Sequence, residues 1–576
     1  MLAAIASPSQ AKEESRSLNL DFERVTPAGE AWGWGRWGPR NSNFRFEVDS
    51  STAFSGKRSF RISGTSHGVG SAETVFPVNV AAGRHVRYYG RIKTAIVKEG
   101  FAALWWRVLD HDGTYNLSRT ATECASGTTE WRECSVAIDV PKTVADIRFG
   151  ISLKGSGSAW FDLLGIEIDG VKYVEPTLFD PSEMEIRTLM EHAFTFDTHL
   201  LDNDDLAALN PLFEGGQIVA LGEASHGTLE LFELKVRLFK HLTTLGFTVF
   251  AIEASMPEAA KLNEYVTGGH GDPKSLLAGL KFWTWNTPEL LALIEWIRAY
   301  NQSKDRKIEF WGIDCQIAET AIRNVRNFLS RTKPQSLVRF DEASETISGR
   351  NPTSETLEAL HDIDEVLTLF PSDTSNSRLT WAKQNARIIR QAVYARASMA
   401  SREECLADNA LWVLEQHEPG TKMVLWAHND HVSRVPITYP RMGSLLSTRS
   451  DGYLAVGLTF GTGSYTAVGS RGIATYAAVP AERGSVEWAL GQLKSKTVAI
   501  DLRPARRGAA DLAWLSRELD IRSVGARATA DQFVPTNVTR QFDALIYVRD
   551  GHPTKPFGLE GPLANDRDDA GAIPYQ

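Results

Sequence analysis

At 576 residues the chain is too long for one core and should divide into about two to four domains. It is 43% hydrophobic and 23% charged, with a net charge of −9. That excludes a mainly disordered chain, and it argues against nucleic acid or an anionic membrane as the main partner. No apolar run is long enough to span a bilayer, and the 4 cysteines are too few for a disulfide framework.

Residues 1–17 have the small residues of a secretory signal without its positive start, so they read as a trimmed signal or a disordered leader. The compartment stays open between cytoplasmic and exported, with exported favoured. Residues 18–170 read as all-β. FRFEV, SFRISG, ETVFPVNV, HVRYYGRIKTA, ALWWRVLD, WRECSVAIDV, DIRFGISL and AWFDLLGIEI are short aromatic and β-branched runs, separated by Gly, Ser, Asn and Asp. Near-regular spacing of such runs predicts a sandwich or jelly roll. Cys124 and Cys134 flank the turn-like ASGTTEWRE and could face each other across a hairpin, where an exported protein could bridge them. Cys315 and Cys405 read as buried free thiols. Trp32, Trp34, Trp37, Trp105 and Trp106 could stack on sugar rings, but filling the sandwich or its contact with the next domain is the favoured role. GWGRWG at 33–38 neither follows a strong strand nor opens a helix, so it is no dinucleotide site. GTSHG at 64–68 lies between strands, where a serine elbow has no helix to enter.

Residues 171–181 read as a linker, and a helix should begin near Pro181, Ser182 and Glu183. The sandwich and the domain beyond this linker are expected to be separable units. Over 182–552 apolar β runs alternate with amphipathic helices, which predicts an α/β domain with a central sheet. The runs IVALGE, FTVFAIE, KIEFWGID, KMVLWAH, TVAIDLRP and ALIYVRD end at Glu223, Glu253, Asp314, His428, Asp501 and Arg549. Polar groups gathered at one sheet edge are a site-like pattern. Residues 316–420 read as an α-helical insertion whose charges are mostly a solvated face, and 553–576 as an extended tail.

The organising stretch is 219–239. It starts as a buried strand and ends as a helix with Leu229, Phe232, Val236 and Phe239 at steps of three and four. Between them GEASHG packs Glu223, Ser225 and His226 into one strand-to-helix turn. A Glu three residues before a His can fix the ring's tautomer and raise its basicity, as a general base requires. The plainer alternative is that Glu223 and Ser225 cap the helix and His226 satisfies its first turn.

GEASHG at 222–227, AIEAS at 251–255, FWGIDCQ at 310–316 and LWAHNDHV at 425–432 occur in one order, with KFWTWNTPELLALIEWIRAYN at 281–301 and YPRMGSLL at 439–446. Together they make residues 189–550 resemble the erythromycin esterase family. The β-rich segment, through NLDFE, SGKRSFRI and GSGSAWFDLLGIEI, resembles the carbohydrate-binding-module-like jelly rolls attached to bacterial hydrolases. The family resemblance implies an α/β hydrolase of ester bonds, with macrolide lactones the substrates of its named members. Residue by residue it implies His226 as the base that activates water, Glu223 as its partner, Glu253 as a further active-site carboxylate, and His428 and His431 as a second histidine pair. Lys235 stands where members carry Arg or Lys. Broad members share GEASHG, whereas the macrolide esterases have bulkier residues around the His.

Catalytic residues are thus expected at His226, Glu223, His428, His431 and Glu253, and substrate-binding residues at Lys235, Asp314 and Trp285. The expected partner is a small-molecule ester, with glycan contact through the sandwich as an addition. No cofactor is required on this reading. A divalent metal such as zinc on Glu223, His226, His428 and His431 stays open, and would make the protein a metal-dependent amide or ester hydrolase. The remaining alternative is a non-catalytic glycan-binding or polysaccharide-related protein.

Overall fold

The computed structural model describes residues 18–25, 31, 33–37, 43–65, 67–109, 115–121, 124–144, 146–174, 181–196, 204–347, 353–368, 377–437, 439–469, 472–481, 483–529 and 532–558. The expected leader and the tail beyond 558 lie outside the described residues.

The N-terminal unit is an antiparallel sandwich. Its layers share one strand, His85–Leu109, which is 25 residues long. The first half of that strand pairs with Ser156–Ile168 and Ala125–Asp139, and the second half with Asp146–Lys154 and Tyr115–Thr120. The halves meet at Ile96 and Glu99, whose φ values of +55° and +56° turn the chain from one layer to the other. Tyr88 in the first half packs its ring 5.0 Å from that of Phe149 and 5.8 Å from that of Trp106 in the second layer. Trp34 and Trp106 are buried in the sandwich core, whereas Trp105, also buried, points to the opposite face of its strand, under Arg107 and donating to Ser71 Oγ; Trp32 and the Trp37 side chain lie outside the described residues. Cys124 and Cys134 are disulfide-bonded with Cα atoms 5.7 Å apart. All of ASGTTEWRE is strand rather than turn, but ten extended residues would reach about 33 Å. The chain therefore arches back through Gly127, at φ +69°. Val171–Lys172 pairs onto Glu167 and Ile168, so the first residues assigned to the linker belong to the sandwich.

The second unit is built on a nine-stranded sheet. Ile218–Leu221 lies at its centre, parallel to Lys422–Trp426 on one side and to Tyr453–Gly469 on the other. Beyond Lys422–Trp426 the parallel strands continue with Phe247–Ser255 and Glu309–Asp314, and beyond Tyr453–Gly469 with Ala544–Gly551. The chain winds to one side of Ile218–Leu221, returns through Lys422–Trp426, then crosses to the other side. Such a reversal opens a crevice at the strands' carboxyl ends, where ligands of open α/β sheets bind. Glu223, Glu253, Asp314 and His428 all lie at that edge. Asp501 does not, because Thr497–Asp501 runs antiparallel and Asp501 pairs with Ala544 at the opposite edge. Arg549 also leaves the site, donating to the carbonyls of Ser495 and Gly491.

Ser182 opens the helix Glu183–His192 through a capping box with Glu185, as the sequence suggests. The expected insertion is helical, including Glu319–Thr332, Ser377–Ala397 and Met399–Glu415. Arg402 and Glu403 of Met399–Glu415 are exceptions to the mostly solvated charges expected there, for both are buried. No described helix is long and apolar enough to cross a membrane.

Candidate active site

The GEASHG turn is shaped by close chain crossings. A Cβ on Gly222 would sit 2.1 Å from Asn429 Oδ1, and one on Gly227 would sit 1.9 Å from the Thr466 carbonyl oxygen. Both positions therefore exclude a side chain. Within the turn, Glu223 Oε1 lies 2.6 Å from His226 Nδ1. The other oxygen, Oε2, accepts from Lys235 Nζ at 2.7 Å and from Trp426 Nε1 at 2.9 Å. Lys235 comes from the helix Leu229–Thr244 and stands over the Trp426 ring. Burial disfavours the Glu223 carboxylate, but Lys235 and His226 outweigh it and hold its pKa below the ordinary value. Burial lowers the Lys235 pKa to about 8, against the pull of Glu223, so the pair is charged at neutral pH. An ionised Glu223 takes a proton-bearing Nδ1, which assigns the free lone pair of His226 to Nε2. Ser225 Oγ accepts from the Gly227 N–H at 3.1 Å, a turn contact inside the motif rather than the expected cap of the following helix.

The second carboxylate, Glu253, ends the neighbouring strand. Its Oε1 lies 2.8 Å from Arg402 Nη2 and 3.1 Å from His431 Nε2, and its Oε2 accepts the His428 N–H at 3.1 Å. Arg402 also holds Asp314, Nη2 to Oδ2 2.7 Å. His431 Nδ1 lies 2.9 Å from each oxygen of Glu403. Burial works against a charged His431, but Glu253 and Glu403 outweigh it and raise its pKa to about 10. With a carboxylate at each nitrogen the ring is an imidazolium, so Arg402 Nη1, 3.4 Å from His431 Nε2, is a neighbour and not a donor. Burial likewise opposes the Glu253 carboxylate, and His431 and Arg402 still bring its pKa well below the ordinary value.

His428 is different. Its Nδ1 accepts the Asp430 N–H at 3.3 Å, which places its proton on Nε2. That Nε2 is buried and has no hydrogen-bond partner among the described residues. Burial lowers the His428 pKa to about 4, so the ring is neutral at ordinary pH. The His226 and His428 rings stand 5.3 Å apart, and Trp285 meets His226 edge-on at 5.9 Å while donating to the Glu253 carbonyl at 2.8 Å. The Gly525 main chain walls the other side, accepting from the His226 N–H at 3.3 Å.

The structure thus brings Glu223, His226, Glu253, His428 and His431 together. Lys235 and Asp314, expected to bind substrate, are buried behind Glu223 and Arg402 and are placed to hold those groups. Trp285 is a buried wall of the histidine pair. Arg402, Glu403 and Gly525 belong to the site without standing out in the sequence, and Arg441 belongs to it from within YPRMGSLL, where the motif alone assigns it no role. A signal for Arg402 existed: Arg402, Leu406, Asn409, Ala410 and Val413 continue one helical stripe, and all are buried.

The donor set does not suit a zinc ion on Glu223, His226, His428 and His431. Both nitrogens of His431 and both oxygens of Glu223 are already engaged, which removes two of the four ligands. No cluster of His, Cys, Asp and Glu with metal-binding geometry occurs among the described residues.

A family profile described as erythromycin esterase matches residues 242–551. The match begins after GEASHG, yet the sheet sets that turn beside the matched strands. The erythromycin esterase type II of Escherichia coli is 25% identical over 323 residues, covering 47% of this chain and 75% of the relative. A solved Bacillus cereus protein is 26% identical with a TM-score of 0.58, over 65% of this chain and 100% of that one. The fold is also that of an erythromycin esterase mutant in its open conformation, 17% identical with a TM-score of 0.50 over 62% of this chain and 98% of the other. The profile spans more than half of the 576 residues, and the chain belongs to the erythromycin esterase family of hydrolases.

Proposed function

We propose that the protein hydrolyses a carboxylic ester with water activated by His226. The observation that carries this is the 2.6 Å contact of Glu223 with His226 Nδ1, which leaves Nε2 as a base. In the step proposed, Nε2 takes a proton from water and the hydroxide adds to the ester carbonyl. The neutral His428 donates from Nε2 to the developing oxyanion, a task that suits a buried donor with no other partner among the described residues. The tetrahedral intermediate then expels the alkoxide, which takes the proton back from His226 Nε2. Glu223 stays ionised throughout and stabilises the transient imidazolium. Each bond made is matched by one broken, and nothing beyond water is consumed. Macrolide lactones are one candidate substrate, suggested by the E. coli relative, and simple acyl esters are the other.

The test is a screen of the purified protein against macrolides and acyl esters, with His226→Ala as control. Turnover by the native protein and none by the variant supports the reading. Amide hydrolysis without ester hydrolysis, or turnover abolished by chelation and restored by zinc, overturns it.

A further inference from the structure

Glu403 belongs to no motif, sits on the helix Met399–Glu415, and has no solvent-exposed side-chain surface. Its oxygens are fully engaged. Oε1 accepts from Arg441 Nη1 at 3.0 Å and Oε2 from the Met442 N–H at 2.9 Å, while both face His431 Nδ1 at 2.9 Å. A buried carboxylate costs free energy unless cations and main-chain donors surround it. Here burial raises the Glu403 pKa, and His431, Arg441 and the Met442 N–H more than reverse this.

From Glu403 the contacts run in one line to the reacting groups. His431 reaches Glu253 through Nε2 at 3.1 Å, and Glu253 holds the His428 N–H at 3.1 Å. His428 in turn faces His226. We propose that Glu403 is a positioning residue: it locks His431 as a bridge between two carboxylates, and through that bridge sets Glu253 and the main chain of His428. The inference rests on the ester-hydrolase reading only for its kinetic consequence. It assigns His431 a role different from His226, since a ring whose nitrogens both bind carboxylates neither accepts a proton nor touches substrate. It also explains why two charged residues, Arg402 and Glu403, are buried in a helix that otherwise covers the sheet edge. Arg402 fixes Glu253 Oε1 directly, and Glu403 fixes it through His431.

Glu403→Gln keeps the shape and removes the charge, whereas Glu403→Ala leaves a void and serves as the harsher variant. The readout is the ring titration of His431 by NMR in full-length protein with labelled histidine, its signal identified by its loss in His431→Asn. In the native protein the ring is expected to stay charged past pH 8, and in Glu403→Gln to lose its proton at clearly lower pH. On an ester substrate, Glu403→Gln is expected to lower kcat about 10–100-fold with KM within about twofold, the signature of a displaced group. An unchanged His431 titration in folded Glu403→Gln overturns the proposal. So does a loss of kcat that only follows a loss of folded protein. A native protein that hydrolyses no ester would remove the functional reading, while the titration would still decide the part played by Glu403.

Discussion

Lys235 and Glu223 form an ion pair, Nζ to Oε2 2.7 Å, with neither side chain exposed to solvent. The charge on Glu223 that orients His226 therefore depends on a residue substrate cannot reach. Removing one partner of a buried pair costs about 3–5 kcal/mol, because the other charge is stranded. Lys235→Met is expected to lose stability of that order in urea unfolding, together with most activity. Lys235→Arg, which keeps the charge, is expected to retain more of both.

His428 is assigned as a donor, and its substitutions should rank accordingly. Loss of one oxyanion donor typically costs about 10²–10³-fold in kcat. His428→Ala should show a fall of that size. His428→Gln presents an N–H on a chain of similar reach and should retain more activity. Steady-state kinetics on any accepted ester checks the order, and equal loss in both variants would argue for a base at this position.

The two histidines of HNDH predict opposite limbs of a stability–pH curve. The His431 pKa is raised from 6.5 to about 10 because Glu253 and Glu403 outweigh burial. The fold therefore holds a proton that the unfolded chain releases above about 6.5. This contribution is complete below that pH and is lost as pH rises through about 10. Burial lowers the His428 pKa from 6.5 to about 4, so its contribution is lost as pH falls from 6.5 through about 4. Urea midpoints measured from pH 4 to 10 should fall at both ends, and His431→Asn should flatten the alkaline limb alone.

Gly227 is the most constrained glycine of the motif, since its Cβ would lie 1.9 Å from a main-chain oxygen of Thr466. Backbone cannot swing aside as a side chain can. Gly227→Ala should therefore lower the melting midpoint and abolish turnover together. Gly215→Ala, with nothing near its Cβ but φ +78°, should lose stability through backbone strain and leave the site's chemistry intact in the folded fraction.

Much of the site was legible in sequence because apolar β runs, alternating with amphipathic helices, ended in polar residues. Glu223, Glu253, Asp314 and His428 share one edge for the reason the alternation suggested. Asp501 shows what a strand-end pattern leaves out: strand direction, which only pairing reveals. Lys235 and Asp314 were visible as site residues but not as buried ones, because sequence does not say which side of a carboxylate a partner occupies. Arg402 and Glu403 were hidden among the many charges of a helical stretch, where a buried charge and a solvated one look alike. The sandwich was legible as a fold, but not the way its longest strand serves both layers, since Ile96 and Glu99 adopt positive φ without glycine.

The central claim is that His226 activates water and that Ser225 only shapes the turn. Turnover of one ester by folded His226→Ala and Ser225→Ala, measured side by side, tests it most directly. His226→Ala should fall by about 10²–10⁴-fold, the usual worth of a general base. Ser225→Ala should stay within a few fold, since among the described residues its Oγ accepts from the Gly227 N–H alone. An inactive Ser225→Ala beside an active His226→Ala, with an acyl group trapped on Ser225 of the native protein, would contradict the account.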